Sequence, residues 1–333
     1  MGTGYLEEMG TLVFGPVPSR RLGRSVGVNN IPPKTCSYSC VYCQLGRTRS
    51  LRVDRRAFYR PEDLLKQVER KIDEASSRRE RIDYLTFVPD GEPTLDASLR
   101  EEISLLKQVG FPIAVITNAS LLWHDEVRED LLGADFVSLK VDAVSESLWR
   151  SIDRPQRSLK LDVILDGIRD FAKMFKGTIA SETMLIDDIK YDDEFERIAK
   201  FLGELDRLNK AYIAIPTRPP AEGWVRPARE EVMNTAFQVF SEELGSGRIE
   251  YLMGYEGNAF AFTGNAKEDL LSITAVHPMR EEAVRKLLEK ANADWQIVEG
   301  LVRNRELTRV EYEGYIFYMR RPPNRSNPES TSS

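Results

Sequence analysis

Between about residue 80 and residue 216, short runs of β-branched and other apolar residues alternate with stretches whose apolar positions recur at helical spacing. That alternation predicts a parallel sheet covered by helices. Arg24–Asn30 reads as a first strand, leading through Pro32-Pro33 into a loop. Pro61–Ser77 reads as a helix, with proline at its first position and Leu64, Leu65, Val68 and Ile72 along one apolar face. Further strands are predicted at Tyr84–Val88, Ile113–Thr117, Phe136–Val141, Ile179–Ile186 and Ala211–Pro216. Helices are predicted between them at Leu95–Val109, Asp125–Leu132, Leu159–Phe175 and Asp192–Leu208, two of them stopped by Gly110 and Gly177. The fold class is α/β, and six β/α units match a (β/α)6 partial barrel of the TIM type, in which reactive groups belong at the carboxyl ends of the strands.

A Pro/Arg-rich connector, Thr217–Pro227, follows the last strand, then a helix over Glu230–Leu244 and a segment around Tyr251–Gly257. Ala266–Ala275, Arg280–Ala291 and Asp294–Arg303 read as three short helices. Leu307–Tyr312 and Tyr315–Arg320 read as a hairpin turning at Glu313-Gly314. Three helices and a two-stranded wing describe a C-terminal winged-helix-like module. The expected domains are a core barrel over 1–225, a connecting segment over 226–260, the winged-helix-like module over 261–321, and a polar tail over 322–333 expected to be disordered.

With 41% hydrophobic and 30% charged residues in 333, the chain has enough apolar material for a large core. No apolar stretch has the length needed to span a bilayer, so no membrane partner is expected and the expected compartment is the cytoplasm. The net charge of −6 conceals an asymmetry, because residues 1–60 hold ten arginines and lysines against three acids. Six of those arginines, Arg47, Arg49, Arg52, Arg55, Arg56 and Arg60, form one run. A positive field there would attract a phosphate-bearing substrate. A solvated loop, or a docking surface for an acidic electron donor, fits the same run.

The chain's three cysteines, Cys36, Cys40 and Cys43, stand together in Cys-Ser-Tyr-Ser-Cys-Val-Tyr-Cys. A [4Fe–4S] cluster normally takes four thiolates. Three would leave one iron with an open position, where a metal reacts instead of holding structure. A structural zinc site would need a fourth ligand, and His124 and His277 stand in no Cys/His cluster. Disulfide pairing would leave one cysteine over. The predicted strand ends add polar groups: Pro89-Asp-Gly-Glu-Pro-Thr94 after the second strand and Thr117-Asn118 after the third. Ser138, Lys140 and Asp142 share one face of the fourth by the two-residue period. Glu182 lies within an apolar run and needs a partner, either a ligand or a structural cation. Arg218, after the sixth strand, is a candidate clamp for carboxylate or phosphate.

The Cys-x3-Cys-x2-Cys spacing with Tyr42 ahead of the third cysteine resembles the cluster loop of the radical S-adenosylmethionine (SAM) superfamily. Gly91, Glu92 and Pro93 resemble its Gly-Gly-Glu motif, with Asp90 in place of the first glycine. Phe14–Val28, Lys34–Cys36, Val41–Thr48 and Pro216–Glu222 together resemble a prokaryotic group of radical SAM proteins placed near the wyosine-type tRNA-imidazoguanosine synthases. The likeness spans about residues 10–225. It implies a [4Fe–4S] cluster on Cys36, Cys40 and Cys43, and S-adenosyl-L-methionine bound among Tyr42, Gly91, Glu92, Pro93, Thr117, Asn118, Ser138, Lys140, Asp142 and Glu182. It further implies one electron from a ferredoxin or flavodoxin, cleavage of SAM to a 5′-deoxyadenosyl radical, and hydrogen abstraction from a substrate. Arg47 and Arg218 are candidates for substrate contacts. The wyosine-type enzymes carry further cysteines for a second cluster; this chain has none, which argues against the wyosine reaction itself. RNA, above all tRNA, is the expected substrate. The alternatives are a protein or peptide recognised through the winged-helix-like module, and a non-catalytic iron–sulfur regulator that binds nucleic acid.

Overall fold

A computed structural model describes residues 12–254 and 260–321 of the chain. The tail expected over 322–333 and residues 255–257 of the segment expected after the Glu230–Leu244 helix lie outside the described residues. Strands β1 (Val13–Ser19) and β2 (Gly23–Val28) form an antiparallel hairpin. In the loop that follows, β3 (Thr35–Cys36) pairs with β4 (Ser50–Leu51). β5 (Tyr84–Phe87), β6 (Ile113–Thr117), β7 (Phe136–Lys140), β8 (Thr178–Met184), β9 (Leu208–Ala214) and β10 (Ile249–Leu252) then continue from β2, every pair parallel. The main sheet runs β1-β2-β5-β6-β7-β8-β9-β10.

The expectation of six strands therefore needs correction: the sheet has eight, it is open, and β1 and β10 are its edges. β1, Val-Phe-Gly-Pro-Val-Pro-Ser, escaped the pattern because its glycine and two prolines break strand propensity; an edge strand tolerates them because one side makes no ladder. β10 is four residues long, too short for periodicity to register. The central strands are almost wholly buried, as parallel strands covered on both faces must be. Leu64, Leu85, Ile103, Val115, Phe171 and Phe240 contribute to one large core between sheet and helices. A helix at Glu146–Ile152 lies between the fourth predicted strand and the next predicted helix, where none was expected.

Leu22, Ala114, Phe136, Ala180, Tyr212, Ala214 and Leu252 form a second, smaller cluster. Leu22 and Ala214 of this cluster also line a cavity. The β1–β2 turn closes the open side of the sheet. Arg20 in that turn donates to the carbonyl of Leu252 on the far edge strand, while Leu22 packs among Tyr212, Ala214 and Leu252.

The C-terminal unit comprises helices Ala266–Val276, Glu281–Ala291 and Gln296–Arg303 with strands β11 (Met279–Arg280), β12 (Leu307–Tyr312) and β13 (Tyr315–Arg320). The strands order β11-β13-β12, all antiparallel. The hairpin turns at Glu313-Gly314 as expected, both residues adopting positive φ (50° and 74°), the geometry that matches strand twist in a two-residue turn. Leu270, Ile273, Val284, Leu287 and Leu301 share a core with Phe14 and Val17 of β1. This unit is thus packed onto the first strand of the sheet. No helix among the described residues is long and apolar enough to cross a membrane.

Two fully buried acids, Asp96 and Glu102, lie close enough to interact electrostatically. Asn30 donates to Glu102 at 3.1 Å. Burial pushes Asp96 up to about 7, although Arg55 opposes it; burial and the neighbouring Asp96 push Glu102 well above the carboxylate range. Both folded values lie above the unfolded ones, so the folded state binds protons that the unfolded chain releases, and stability falls as pH rises from about 4 through about 7. Glu102→Gln keeps an acceptor for Asn30 and removes the charge. It is expected to raise stability at pH 8 by about 1–3 kcal/mol and to flatten the fall between pH 5 and 8, read by thermal denaturation across that range.

Candidate active site

Beyond β2 the chain turns back on the end of β5. Lys34 adopts a left-handed φ of 63°, its N–H donates to the Asp90 carbonyl at 2.8 Å, and its ammonium lies 3.1 Å from the Asp90 carboxylate. Asp90, where the resembling motif has glycine, is thus paired with Lys34. Next door, Glu92 N–H donates to the Thr35 carbonyl at 3.1 Å. Gly91 has a φ of 154°, and a Cβ there would lie 1.8 Å from the Thr35 oxygen. Only glycine lets these two backbones touch.

The cysteine loop is braced from its other side by the helix Glu146–Ile152. Val41 N–H donates to the Ile152 carbonyl at 2.9 Å and Ser39 N–H to the Asp153 carbonyl at 3.0 Å. Within the loop, Cys43 N–H bonds the Cys40 carbonyl at 3.2 Å and Gly46 N–H the Cys43 carbonyl at 3.0 Å. Cys36, Cys40 and Cys43 are free, partly exposed, and line one cavity of about 320 Å³. Burial raises all three thiols above their ordinary pKa. Cys40 donates to Asp153 at 3.3 Å, and Cys36 accepts from Asn118 Nδ2 at 3.5 Å.

Glu92 is the knot of the strand ends. Its carboxylate accepts from Thr94 N–H (3.1 Å), the Thr94 hydroxyl (2.6 Å), the Thr117 hydroxyl (2.6 Å) and Asn118 N–H (2.7 Å). Burial raises this carboxyl, and the Thr117, Thr94 and Asn118 donors oppose the rise. Across the cavity, Lys140 bonds Glu182 at 2.5 Å, and Arg21 pairs with the other Glu182 oxygen. Burial works against ionised Glu182, but Arg21 and Lys140 prevail and hold it well below the usual carboxylate range. Lys140 stands 5.0 Å from the Tyr42 ring centroid.

Of the residues singled out in the sequence, the cavity gathers the three cysteines with Tyr42, Gly91, Glu92, Thr117, Asn118, Lys140, Glu182 and Arg218. Four others lie outside its lining. Asp142 follows the end of β7 and is buried, accepting from the Tyr42 hydroxyl and from Met184 N–H at 2.7 Å. Ser138 sits one repeat deeper, beneath Arg21 at 3.3 Å. Pro93 is buried in a short 3₁₀ turn, its carbonyl taken by Asn30 at 3.3 Å. Arg47 points outward and is bidentate on Glu222, both contacts 2.9 Å. Sequence reasoning missed Arg21, Gln44 and His277. Gln44 donates to the Val276 carbonyl at 3.2 Å and accepts from Arg218 at 2.9 Å; Arg218 also meets His277 Nε2 at 2.8 Å. Val276 and His277 bring the C-terminal unit into the cavity wall. Nothing local in the sequence signals a contact over more than two hundred residues.

The donor set fits a cluster better than a single ion. Among the described residues no three His, Cys, Asp or Glu side chains converge to hold one metal. A cubane asks something else, separate thiolates meeting separate iron corners around one cavity. Thiols raised by burial release their protons as metal binds.

An open, mostly parallel sheet, with three free thiols and a buried Glu92 knot at its strand ends, defines a class. Residues 30–202 match the Radical SAM superfamily, and the chain belongs to it as an enzyme of that superfamily. Membership implies an iron–sulfur cluster and SAM. Over 323 residues the chain is 48% identical to the UPF0026 protein MJ1312 of Methanocaldococcus jannaschii, covering 96% of this chain and 100% of that one. It is 36% identical to the UPF0026 protein slr1464 of Synechocystis sp., over 62% of this chain and 76% of that one. A radical SAM methyltransferase from Sphaerobacter thermophilus shares the fold at a TM-score of 0.52 and 15% identity, over 69% of this chain and 67% of that one.

Gly91→Ala drives a methyl group into the Thr35 carbonyl. It is expected to destabilise the fold by about 1–3 kcal/mol and to lower iron retained per chain after anaerobic reconstitution, because the cysteine loop hangs from that contact. Unchanged melting and unchanged iron content would contradict the tight approach.

Proposed function

We propose that this protein cleaves SAM reductively and uses the resulting 5′-deoxyadenosyl radical to abstract hydrogen from an RNA substrate, with tRNA foremost. The observation that carries the catalytic part is the single cavity shared by the three thiols, the Glu92-bound Thr117 and Asn118, and the Lys140–Glu182–Arg21 chain. Cys36, Cys40 and Cys43 would hold a [4Fe–4S] cluster, which with SAM supplies the radical chemistry. The Gly91 backbone at the cavity wall would receive the amino group of SAM. Lys140, which keeps further N–H donors beyond its bond to Glu182, would meet the carboxylate or ribose of SAM. Pro93, Thr117 and Asn118, engaged by Asn30, Glu92, Ser37 and Cys36, would shape the site around it. Glu92 and Glu182 serve this binding indirectly, since protein donors already occupy both. Asp142 and Ser138 act one layer further out, through Tyr42 and Arg21. Arg218 faces the substrate from the cavity wall.

We read the unit over 261–321 as a winged helix that joins a core over 1–225 through a connector over 226–260, in a cytoplasmic enzyme. Exposed Arg303, Arg305 and Arg309 on that unit favour RNA over a peptide. The arginine run behind the cysteines supports RNA less than its count suggests. Arg52 pairs with Asp54, Arg55 with Asp130, and Arg47 with Glu222.

Reconstituted anaerobically with iron, sulfide and SAM and reduced with dithionite, the protein is expected to release 5′-deoxyadenosine, faster with bulk tRNA than without. tRNA binding should weaken steeply between 50 and 200 mM salt. No cleavage by a cluster-loaded protein would overturn the catalytic reading; cleavage indifferent to tRNA would overturn the RNA reading alone.

A further inference from the structure

The C-terminal unit carries a pocket of its own, apart from the cavity that holds the cysteines. Its volume is about 380 Å³, and it lies between the helix Gln296–Arg303 and the hairpin β12–β13. Three chemically different parts make up its wall. The apolar part is Trp295, Val302 and Tyr318. Trp295 meets Tyr318 edge to face with ring centroids 5.8 Å apart, and Arg285 lies 4.1 Å from the Trp295 centroid. Arg285 is held in turn by Glu281 at 2.7 Å, and the Tyr318 hydroxyl donates to the same carboxylate at 3.4 Å. The aromatic pair is thus fixed by its own neighbours. The cationic part is Arg303, in the last turn of the helix, and Arg309, opposite Tyr318 in the ladder, both exposed. The anionic part is Glu299, exposed and one helical turn before Arg303.

An indole ring, two guanidiniums and a carboxylate suit the separate parts of a nucleotide. A base of any identity stacks on an aromatic ring. Guanidiniums match phosphate oxygens in geometry and charge, and a carboxylate accepts a hydrogen bond from an exocyclic amino group. An acidic peptide would answer the arginines but would be repelled by Glu299. We propose that this pocket holds one unpaired, amino-bearing nucleotide of single-stranded RNA, with its base against Trp295, its phosphate at Arg303 and Arg309, and its amino group at Glu299. The inference rests on the reading that the substrate is RNA. The same unit delivers Val276 and His277 to the wall of the cysteine cavity, so an RNA held here is anchored to an element of that wall. A paired base is stacked on both faces and has its amino group engaged, so a duplex offers this pocket phosphate alone.

The test measures binding to the full chain by fluorescence anisotropy, with labelled single-stranded oligo(C), oligo(U) and a blunt RNA duplex of equal length as probes. Oligo(C) is expected to bind about tenfold tighter than oligo(U), which lacks the amino group, and Glu299→Ala should erase that preference. Arg303→Ala/Arg309→Ala, at two exposed positions, should weaken both oligonucleotides and lower the slope of log Kd against log salt by about 1.4. Trp295→Ala should weaken both about tenfold; because Trp295 packs against the C-terminal core, its variant counts only beside an unchanged melting curve, and the exposed variants decide without it. A duplex bound as tightly as oligo(C), or affinity unmoved by the arginine variant, would overturn the proposal. So would polyglutamate displacing oligo(C) as well as unlabelled oligo(C) does, which would make this a peptide site. SAM cleavage stimulated by tRNA, with oligonucleotide binding unmoved by every variant, would remove this pocket and leave the RNA reading standing. The expected binding pattern, with cleavage indifferent to tRNA, would keep the pocket and remove RNA as the substrate of the reaction.

Discussion

A buried carboxylate holds the candidate site together. Glu92 is nearly inaccessible and accepts four hydrogen bonds from Thr94, Thr117 and Asn118. Ionised and buried, it would be untenable without them; with them it becomes a rigid joint between β5 and β6. Asn118, fixed by this joint, reaches Ser37 at 2.8 Å and the Cys36 sulfur at 3.5 Å. The thiol geometry thus depends on a carboxylate that does not itself touch sulfur. Gly91 completes the joint by allowing the Thr35 backbone into contact.

The open sheet creates a second requirement, a closure for its free side. The chain meets it with its two ends. The β1–β2 turn supplies Arg20 to the β10 carbonyl, Leu22 to the interior and Arg21 to Glu182. The C-terminal unit buries Phe14 and Val17 of the same hairpin and delivers Val276 and His277 to the cavity wall. Phe14 lies so close to Gly27 that a Cβ there would sit 2.0 Å from its ring. Hairpin and C-terminal unit are therefore one packing problem, and loosening either would open the cavity.

The central strands, their helices and the cysteine loop were legible because each is a local pattern: burial on both faces of β6, β7 and β8, an amphipathic stripe, a tight spacing of identical residues. The strand-end polar residues were found because the carboxyl ends of parallel strands are where such groups gather. What escaped depends on distance along the chain. Alternation placed Asp142 with Lys140, but the strand ends at Lys140 and the Tyr42 hydroxyl claims the carboxylate. The arginine run suggested a broad positive field, yet Arg55 is half-buried and binds Asp130 and two backbone carbonyls, at Thr94 and Asp96. Partners supplied from remote segments decide whether a charge is available to a ligand.

The same principle separates the two surfaces of the cysteine loop. Inside, Lys140 and Arg21 share one Glu182, two cations on one carboxylate in a largely enclosed setting. Outside, Arg47 and Arg154 share one Glu222 in the same ratio, but both guanidiniums are exposed to solvent. What differs is solvent: the enclosed group is screened little and holds a fixed geometry, whereas the exposed one is weakened by salt. The loop between Cys36 and Arg49 thus lies between two groups of the same charge ratio, one enclosed and one open to solvent.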